Sequence, residues 1–230
     1  MSRRKPSTQQ RTVTPACCAG PGDGERLPAS ADRLSLFKVA LGCEAAAGLG
    51  CGAKAKPILQ SVARLATVEQ TWLSRNGAML AVLWTGIVDG EARHESVRAI
   101  LGAQHIAARK LSSAARESAL QEPSAATSWY RGDAIDRLSE EEAAVIAARL
   151  VQRVTERVRL SERKRHDLSS ALAEACTHEL VDRPLTSANL RRRRIATAVV
   201  KAGHKHLEGT ALKALQEAAA LGHRPVRGEK

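Results

Sequence analysis

The pattern of apolar residues changes once along this chain, near residue 112, and this change restricts the possible folds more than any other feature. Before it, short runs of alternating apolar residues are interleaved with runs of helical period. After it, the apolar residues recur only at helical spacing. We therefore predict an α+β protein whose first half is mixed and whose second half is all helical.

The first half predicts six elements in the order strand, helix, strand, strand, helix, strand. Their ranges are 34–41, a helix beginning at Pro57, 68–75, 79–84, 91–103 and 105–111. Pro57 suits the first helical position because a backbone N–H would have no partner there. Asn76-Gly77 tolerates positive φ and fits a type I′ hairpin turn. This order is that of a ferredoxin-like βαββαβ fold, an antiparallel sheet with two helices on one face.

The second half predicts a small bundle of four helices. Ser139 and Glu142 have the spacing of a capping box, which would make Glu140 to Glu142 a charge cluster at a helix start. The next residues form an apolar stripe at steps of four: Ile146, Leu150, Val154 and Val158. Serines or threonines are expected to cap the other three helices, at Ser161, Ser187 and Thr210, and the last helix is expected to end near Gly222.

Composition along the chain predicts its division into domains. Residues 1–31 have no periodic apolar face, so they bury too little apolar surface to offset the entropy of ordering, and we predict a disordered basic arm. The full prediction is a ferredoxin-like domain over 32–112, a linker over 113–128, a helical bundle over 129–224 and a tail over 225–230.

The chain is strongly basic, with 36 Lys and Arg against 24 Asp and Glu, a formal net charge of +12. Such a charge attracts polyanions. The densest basic cluster is Arg191, Arg192, Arg193 and Arg194, which could contact nucleic acid or an acidic partner. Aromatic residues make up only 2%, which argues against single-strand binding by base stacking, so we expect weak, non-specific nucleic-acid binding.

The cysteines and the hydropathy together predict a reduced, cytoplasmic protein that does not insert into membranes. No stretch approaches the roughly 18 to 20 apolar residues of a membrane span, and the first ten residues lead into no apolar signal core. The cysteine count is odd, five, and the spacing is uneven, unlike a framework of paired half-cystines. Cys176 is predicted to lie in the bundle core.

Cys43 and Cys51 are the residues best suited to metal binding or thiol chemistry. They lie between the first strand and the first helix, where glycines 42, 48, 50 and 52 would let the loop bring the two sulfurs together. The helix N-terminus, with Lys54 and Lys56 nearby, is expected to favour thiolate over thiol. Thiolates select thiophilic ions such as Cu(I) or Zn(II). Cys17 and Cys18 of the arm could complete a four-thiolate zinc site.

A set of residues in this half matches the pattern of a known family. It comprises Phe37 and Val39 in the first strand, the Gly42-Cys43 step, Cys51 at the helix entrance, the helical residues Ile58, Val62 and Leu65, a strand from Val68 and the strand MLAVLW. The region resembles the heavy-metal-associated domain of copper chaperones and metal-transporting ATPases, with a CxxxxxxxC loop in place of that family's Cys-x-x-Cys. The resemblance implies one metal ion held by Cys43 and Cys51 and passed to a partner protein.

Two hypotheses follow for function. The first is a soft-metal-binding protein, for handling or sensing metal, whose helical half docks a metal-exchange partner. The second is a basic nucleic-acid-associated or scaffold protein with incidental cysteines. The chain shows no HExxH, no G-x-S-x-G and no paired catalytic carboxylates, so the sequence predicts no enzyme.

Overall fold

The computed structural model describes residues 25, 27–28, 31–86, 91–121, 129–183 and 187–226. These residues form an α+β fold with a five-stranded antiparallel sheet and mostly helical structure elsewhere, as the sequence predicts. The strands are β1 (Leu34–Lys38), β2 (Val68–Ser74), β3 (Met79–Trp84), β4 (Arg109–Lys110) and β5 (Trp129–Arg131). The helices are α1 (Gly52–Ala63), α2 (Glu91–Ala103), α3 (Ser113–Gln121), α4 (Asp136–Thr155), α5 (Glu162–Val181), α6 (Ala188–Gly203) and α7 (Gly209–Leu221).

The strand order in the sheet is β4-β1-β3-β2-β5. The β2–β3 hairpin places β3 at the centre, with β1 on its far side, so the chain crosses over β3 through α1 to reach β2. Strand β5 pairs with the outer edge of β2, Leu73 opposite Tyr130. The prediction of helices alone after residue 112 is therefore wrong, because a strand of three residues is too short to show a period of two.

Both faces of the sheet are buried, in line with the alternation in the strands. Phe37, Leu80 and Val82 face the two helices α1 and α2. They pack there against Ile58 and Leu59 of α1 and Val97 of α2. The neighbouring residues Leu36, Ala81 and Leu83 face the opposite side, where they pack with Trp72 and Trp129. The sheet thus separates two apolar clusters.

Three local predictions about the ends of elements are wrong. Helix α1 begins five residues before Pro57, because the carbonyl oxygen of Cys51 accepts hydrogen bonds from Lys54 N at 3.2 Å and Ala55 N at 3.0 Å. Ser139 does not cap α4, since it lies buried inside the helix. Thr210 follows the first residue of α7, whose N-cap is Glu208.

Other end predictions are confirmed. Ser161 and Ser187 cap α5 and α6, each accepting a hydrogen bond from the backbone N–H three residues on. Gly222 ends α7 with φ of 89°, and α2 has the predicted bounds.

The hairpin turn forms at 75–78, but only Gly77 has positive φ, so the predicted type I′ geometry is wrong. Gly77 N instead donates to Ser74 O at 2.8 Å, which closes a turn over 74–77. Such a turn needs only one residue with positive φ, and Gly77 is that residue.

Helix α4 connects the sheet to the helical bundle. At about 1.5 Å per residue its 20 residues span about 30 Å. Leu138 near its start packs with the sheet and α1, whereas Ile146, Leu150 and Val154 pack in the bundle core with α5, α6 and α7. Ala45, from the loop between β1 and α1, is buried in the same bundle core.

The predicted arm and tail lie largely outside the described residues, as do residues 122–128 of the predicted linker. Glu25 of the arm pairs with the sheet, its N–H donating to Trp129 O at 2.8 Å. Helix α3 covers 113–121 of the predicted linker. The division into two folding units stays a prediction.

Among the residues that the structure describes, no helix has the length and apolar character needed to cross a membrane.

Candidate functional site

The loop that joins β1 to α1 brings Cys43 and Cys51 together. Gly42 and Gly50 form an isolated antiparallel bridge within it, flanked by hydrogen bonds from Cys43 N to Leu49 O at 2.8 Å and from Cys51 N to Leu41 O at 2.7 Å. Residues one step to either side of a bridged pair point to the opposite face from that pair. Both cysteines therefore lie on one face, so the seven intervening residues do not separate them.

The β2–β3 turn holds this cysteine loop (39–51) in place. Leu41 N donates to Gly77 O at 2.9 Å, and Gly50 N donates to Arg75 O at 2.5 Å. A Cβ on Gly77 would lie 2.5 Å from Leu41 O, so this turn position needs glycine for its contacts as well as for its φ of 70°. The loop is thus fixed against the sheet by backbone hydrogen bonds.

Helix α4 adds a carboxyl group to the two thiols. Glu142 is only 4% exposed, and its Oε2 atom has no hydrogen-bond partner among the described residues. Burial raises the pKa of Glu142, while its thiol neighbours Cys43 and Cys51 and the charges of Arg191 and Lys54 act in the opposite direction. The prediction that Glu142 belongs to a charge cluster at a helix start is wrong, because α4 begins at Asp136 and Glu142 lies buried within the helix.

The close approach of α1 and α4 sets the position of this carboxyl group. A Cβ on Gly52 would lie 2.5 Å from Ser139 Oγ and 2.9 Å from Ile135 O. Glycine directly after Cys51 therefore lets the first turn of α4 touch the start of α1. Glu142, one helical turn beyond Ser139, then faces the cysteine loop.

Both thiols are held in their protonated form. Burial, then the charge of Glu142, raises the pKa of Cys43 to about 12. The same two causes raise the pKa of Cys51, opposed by smaller effects that include Arg191 and Lys54. The expectation that the helix N-terminus and the lysines favour thiolate is wrong, because loss of hydration outweighs them. Lys56 is also engaged elsewhere, with Asp136 at 2.7 Å.

The thiols and Glu142 line a cavity of about 150 Å³, the thiol cavity. Its buried wall is formed by Cys51, Glu142 and Ala45. Its more exposed wall is rich in cations, and the residues there are Glu44, Lys54, Asn189, Arg191, Arg192, His223 and Arg224. Burial and the arginines around it lower the pKa of His223 to about 4, so the imidazole is neutral near pH 7. Glu44 forms an ion pair with Arg224.

The four consecutive arginines do not form one patch. Arg191 and Arg192 line the thiol cavity, and an Nη atom of Arg192 donates to Leu221 O at 3.0 Å. Arg194 forms an ion pair with Glu179 at 3.1 Å, while Arg193 is exposed. Their contact with nucleic acid or an acidic partner stays a prediction.

The other cysteines are placed differently. Cys176 lies in the bundle core, as predicted, and burial raises its pKa to about 12, with a smaller contribution from Glu142. Cys17 and Cys18 lie outside the described residues, so the four-thiolate site stays a prediction. Across the described part of the chain, no three His, Cys, Asp or Glu side chains are arranged to hold a metal ion.

Residues distant in sequence complete the site. Arg149 on α4 donates to Ala45 O at 2.8 Å and to His223 O at 2.7 Å, which ties the cysteine loop to the segment after α7. One feature of the sequence indicates that Glu142 is buried: it lies four residues before Ile146 and so continues the apolar stripe. The sequence contains no sign that His223 would meet a loop about 180 residues earlier.

Comparison with known proteins identifies no relative. No family model, curated protein or solved structure matches this chain significantly. The case for function therefore depends on the thiol cavity.

Proposed function

We propose that this chain binds one thiophilic metal ion through Cys43 and Cys51 and passes it by ligand exchange to a partner protein. The observation that carries the proposal is the convergence of two thiols and a buried carboxyl group on one cavity. Thiol sulfur is a soft ligand that selects ions such as Cu(I) and Zn(II). Glu142 interacts with both thiols and offers an acceptor for the protons that they release on binding.

The charges around the cavity favour Cu(I) over Zn(II). Two thiolates with Cu(I) carry a net charge of −1, whereas two thiolates with Zn(II) are neutral. The cations of Lys54, Arg191 and Arg192 stabilise the anionic product. Cu(I) is also satisfied by two sulfur ligands, whereas protein-bound zinc usually takes four ligands.

The fold is compatible with this role. The order β4-β1-β3-β2, with α1 and α2 packed on one face, supports a ferredoxin-like arrangement extended by β5. We propose that this part of the chain works as a heavy-metal-associated domain with a longer cysteine loop, and that the helical half docks the exchange partner. The nucleic-acid hypothesis has less support, because Arg192 and Arg194 are engaged within the protein.

An anaerobic Cu(I) titration against a chromophoric Cu(I) chelator tests this proposal. Full-length protein is expected to take up about one Cu(I) per chain, and Cys43→Ser or Cys51→Ser to lose at least about a hundredfold in affinity, since each removes half of the ligand pair. Cys176→Ala is the matched control, because this buried cysteine lies in the bundle core, outside the cavity lining. Equal affinity of wild type and both serine variants would refute the site.

A further inference from the structure

We propose that the metal reaches this site as an anionic complex with a small thiol that carries carboxylate groups, and that Arg191 binds a carboxylate of that carrier. This inference rests on the proposed function and names the form in which the metal is delivered. It is based on Arg191, Arg192 and Lys54 on the cavity wall and on the thiols of Cys43 and Cys51 that line the same cavity.

The lining has more cations than it needs for its own anions. Glu44 is already paired with Arg224 and lies 3.9 Å from Lys54. The backbone N–H of Arg191 donates to Ser187 O at 3.0 Å, but its guanidinium group has no hydrogen bond or ion pair with the described residues, although its charge acts on Cys51 and Glu142. A guanidinium group binds a carboxylate through two parallel hydrogen bonds. An uncommitted arginine beside two thiols therefore matches a ligand that combines a metal-bound sulfur with a carboxylate.

The same wall disfavours a free metal cation. A hydrated metal ion would approach against the charges of Arg191, Arg192 and Lys54, whereas an anionic complex would be attracted by them. The unpartnered Oε2 of Glu142, on a side chain more than nine-tenths buried, independently marks the inner wall as a place where a ligand or proton is received.

The size of the cavity limits what enters. A cavity of about 150 Å³ is comparable in size with one that admits a single benzene-sized molecule. That volume accommodates a metal ion with its sulfur and one carboxylate group, but not a whole tripeptide. The remainder of the carrier would stay in solvent, next to the exposed side chains of Arg192 and Asn189.

The exchange balances without an oxidant or reductant. One complex of Cu(I) with two small thiolates reacts with the two protein thiols, and its copper with the two sulfur atoms carries a charge of −1 besides the charges on the carrier's carboxylates. Two Cu–S bonds to the carrier break and two Cu–S bonds to Cys43 and Cys51 form. The two thiol protons move to the sulfur atoms of the leaving thiolates, by way of the Glu142 carboxylate, and the two carrier molecules depart with protonated thiols and their carboxylate charges unchanged. Copper stays Cu(I), and the site carries a net −1 from the copper and its two thiolates.

Stopped-flow measurements of anaerobic Cu(I) uptake by the full chain test this inference. The carriers are glutathione, which has two carboxylates, 2-mercaptoethanol, which is neutral, and cysteamine, which has an ammonium group. Wild type is expected to take up copper fastest from glutathione and slowest from cysteamine. Arg191→Gln is expected to slow uptake from glutathione about tenfold and to slow uptake from 2-mercaptoethanol much less, because only glutathione offers a carboxylate to the guanidinium group.

Arg193→Gln is the matched control, since Arg193 lies on the same helix, is exposed and is not part of the cavity lining. An equal effect of Arg191→Gln with all three carriers, or no effect, would overturn the inference, as would an equal effect of Arg193→Gln. Failure of the proposed function looks different, because wild type and Cys43→Ser/Cys51→Ser would then take up copper equally from every carrier.

Discussion

At the scale of single residues, Glu142 distinguishes this site most clearly from a solvated loop that happens to contain two cysteines. A buried carboxyl group beside the buried thiol of Cys51 and the half-buried thiol of Cys43 raises the pKa of both and keeps their protons on sulfur. Its position was predictable in part, because it continues the stripe of Ile146, Leu150 and Val154. Its burial was not predicted, because Glu142 was assigned to a capping box and a glutamate at a helix start is expected to be solvated.

Replacing Glu142 tests its effect on the thiols. Glu142→Gln keeps the shape of the side chain and removes its charge, so the pKa of Cys43 should fall and the thiol should react faster. We expect iodoacetamide to modify Cys43 several-fold faster at about pH 8, measured by mass spectrometry of the Cys43 peptide. Glu140→Gln, on the exposed side of α4, should have no effect. An unchanged rate in Glu142→Gln would contradict the assignment.

His94 gives the protein a dependence of stability on pH. It is 3% exposed between Phe37 and Trp84, with Lys110 Nζ at 3.1 Å from Nδ1 and Ser35 Oγ at 3.2 Å from Nε2. Burial, then the charge of Lys110, lowers the pKa of His94 from its ordinary 6.5, against a smaller opposite effect of Glu91.

Between the ordinary and the lowered pKa the unfolded chain binds more protons than the folded one. The free energy of unfolding is therefore expected to be highest above pH 6.5 and to decrease as the pH falls below it. Urea denaturation at about pH 7.5 and about pH 5.5 measures this loss, which His94→Gln should reduce. His204→Gln, with an exposed side chain, should keep the wild-type loss, and equal losses in all three proteins would show that His94 is not the cause.

At the scale of elements, the sequence predicted what is local and periodic and missed what depends on contacts between distant segments. Strands β1 to β3 and helix α2 follow from periods of two and 3.6. Strand β5 was missed because three residues carry no period and its pairing with β2 is long-range. The bridge between Gly42 and Gly50 and the contact of α1 with α4 were not predictable either, since they depend on the β2–β3 turn and on Gly52.

The contact between α1 and α4 can be tested at Gly52. Gly52→Ala would place a Cβ 2.5 Å from Ser139 Oγ and 2.9 Å from the Ile135 carbonyl oxygen, so α4 must shift. We expect a loss of about 1–3 kcal/mol in the free energy of unfolding, measured by urea denaturation. Gly102→Ala in α2 is the matched control, because its Cβ would meet nothing within 4 Å and alanine favours a helix. A neutral Gly52→Ala would contradict the close approach.

At the scale of the whole molecule, the two predicted units share structure. Residues beyond the predicted linker supply β5 to the sheet and Leu138 to its core, and the cysteine loop supplies Ala45 to the bundle core. The thiol cavity lies where these parts meet, with lining residues from the cysteine loop, α1, α4, α6 and the segment after α7. No single stretch of sequence could have predicted it.

Because the two predicted units share the sheet and the bundle core, we expect the fragments of the cleaved protein to stay associated. Limited proteolysis is expected to cleave first within 113–128, as the composition of the predicted linker indicates. The two fragments should nevertheless elute together on size exclusion, because β5 and α4 keep their contacts with the sheet and α1. Fragments that separate without denaturant would contradict the shared packing, and a first cut inside either unit would refute the boundary.

X-ray absorption at the copper edge of anaerobically loaded full-length protein measures whether Cys43 and Cys51 together bind a thiophilic metal ion. We predict Cu(I) with two sulfur neighbours in wild type and in Cys176→Ala, and loss of that signal in Cys51→Ser. Copper surrounded only by nitrogen and oxygen atoms, or a spectrum unchanged by Cys43→Ser and Cys51→Ser, would contradict it.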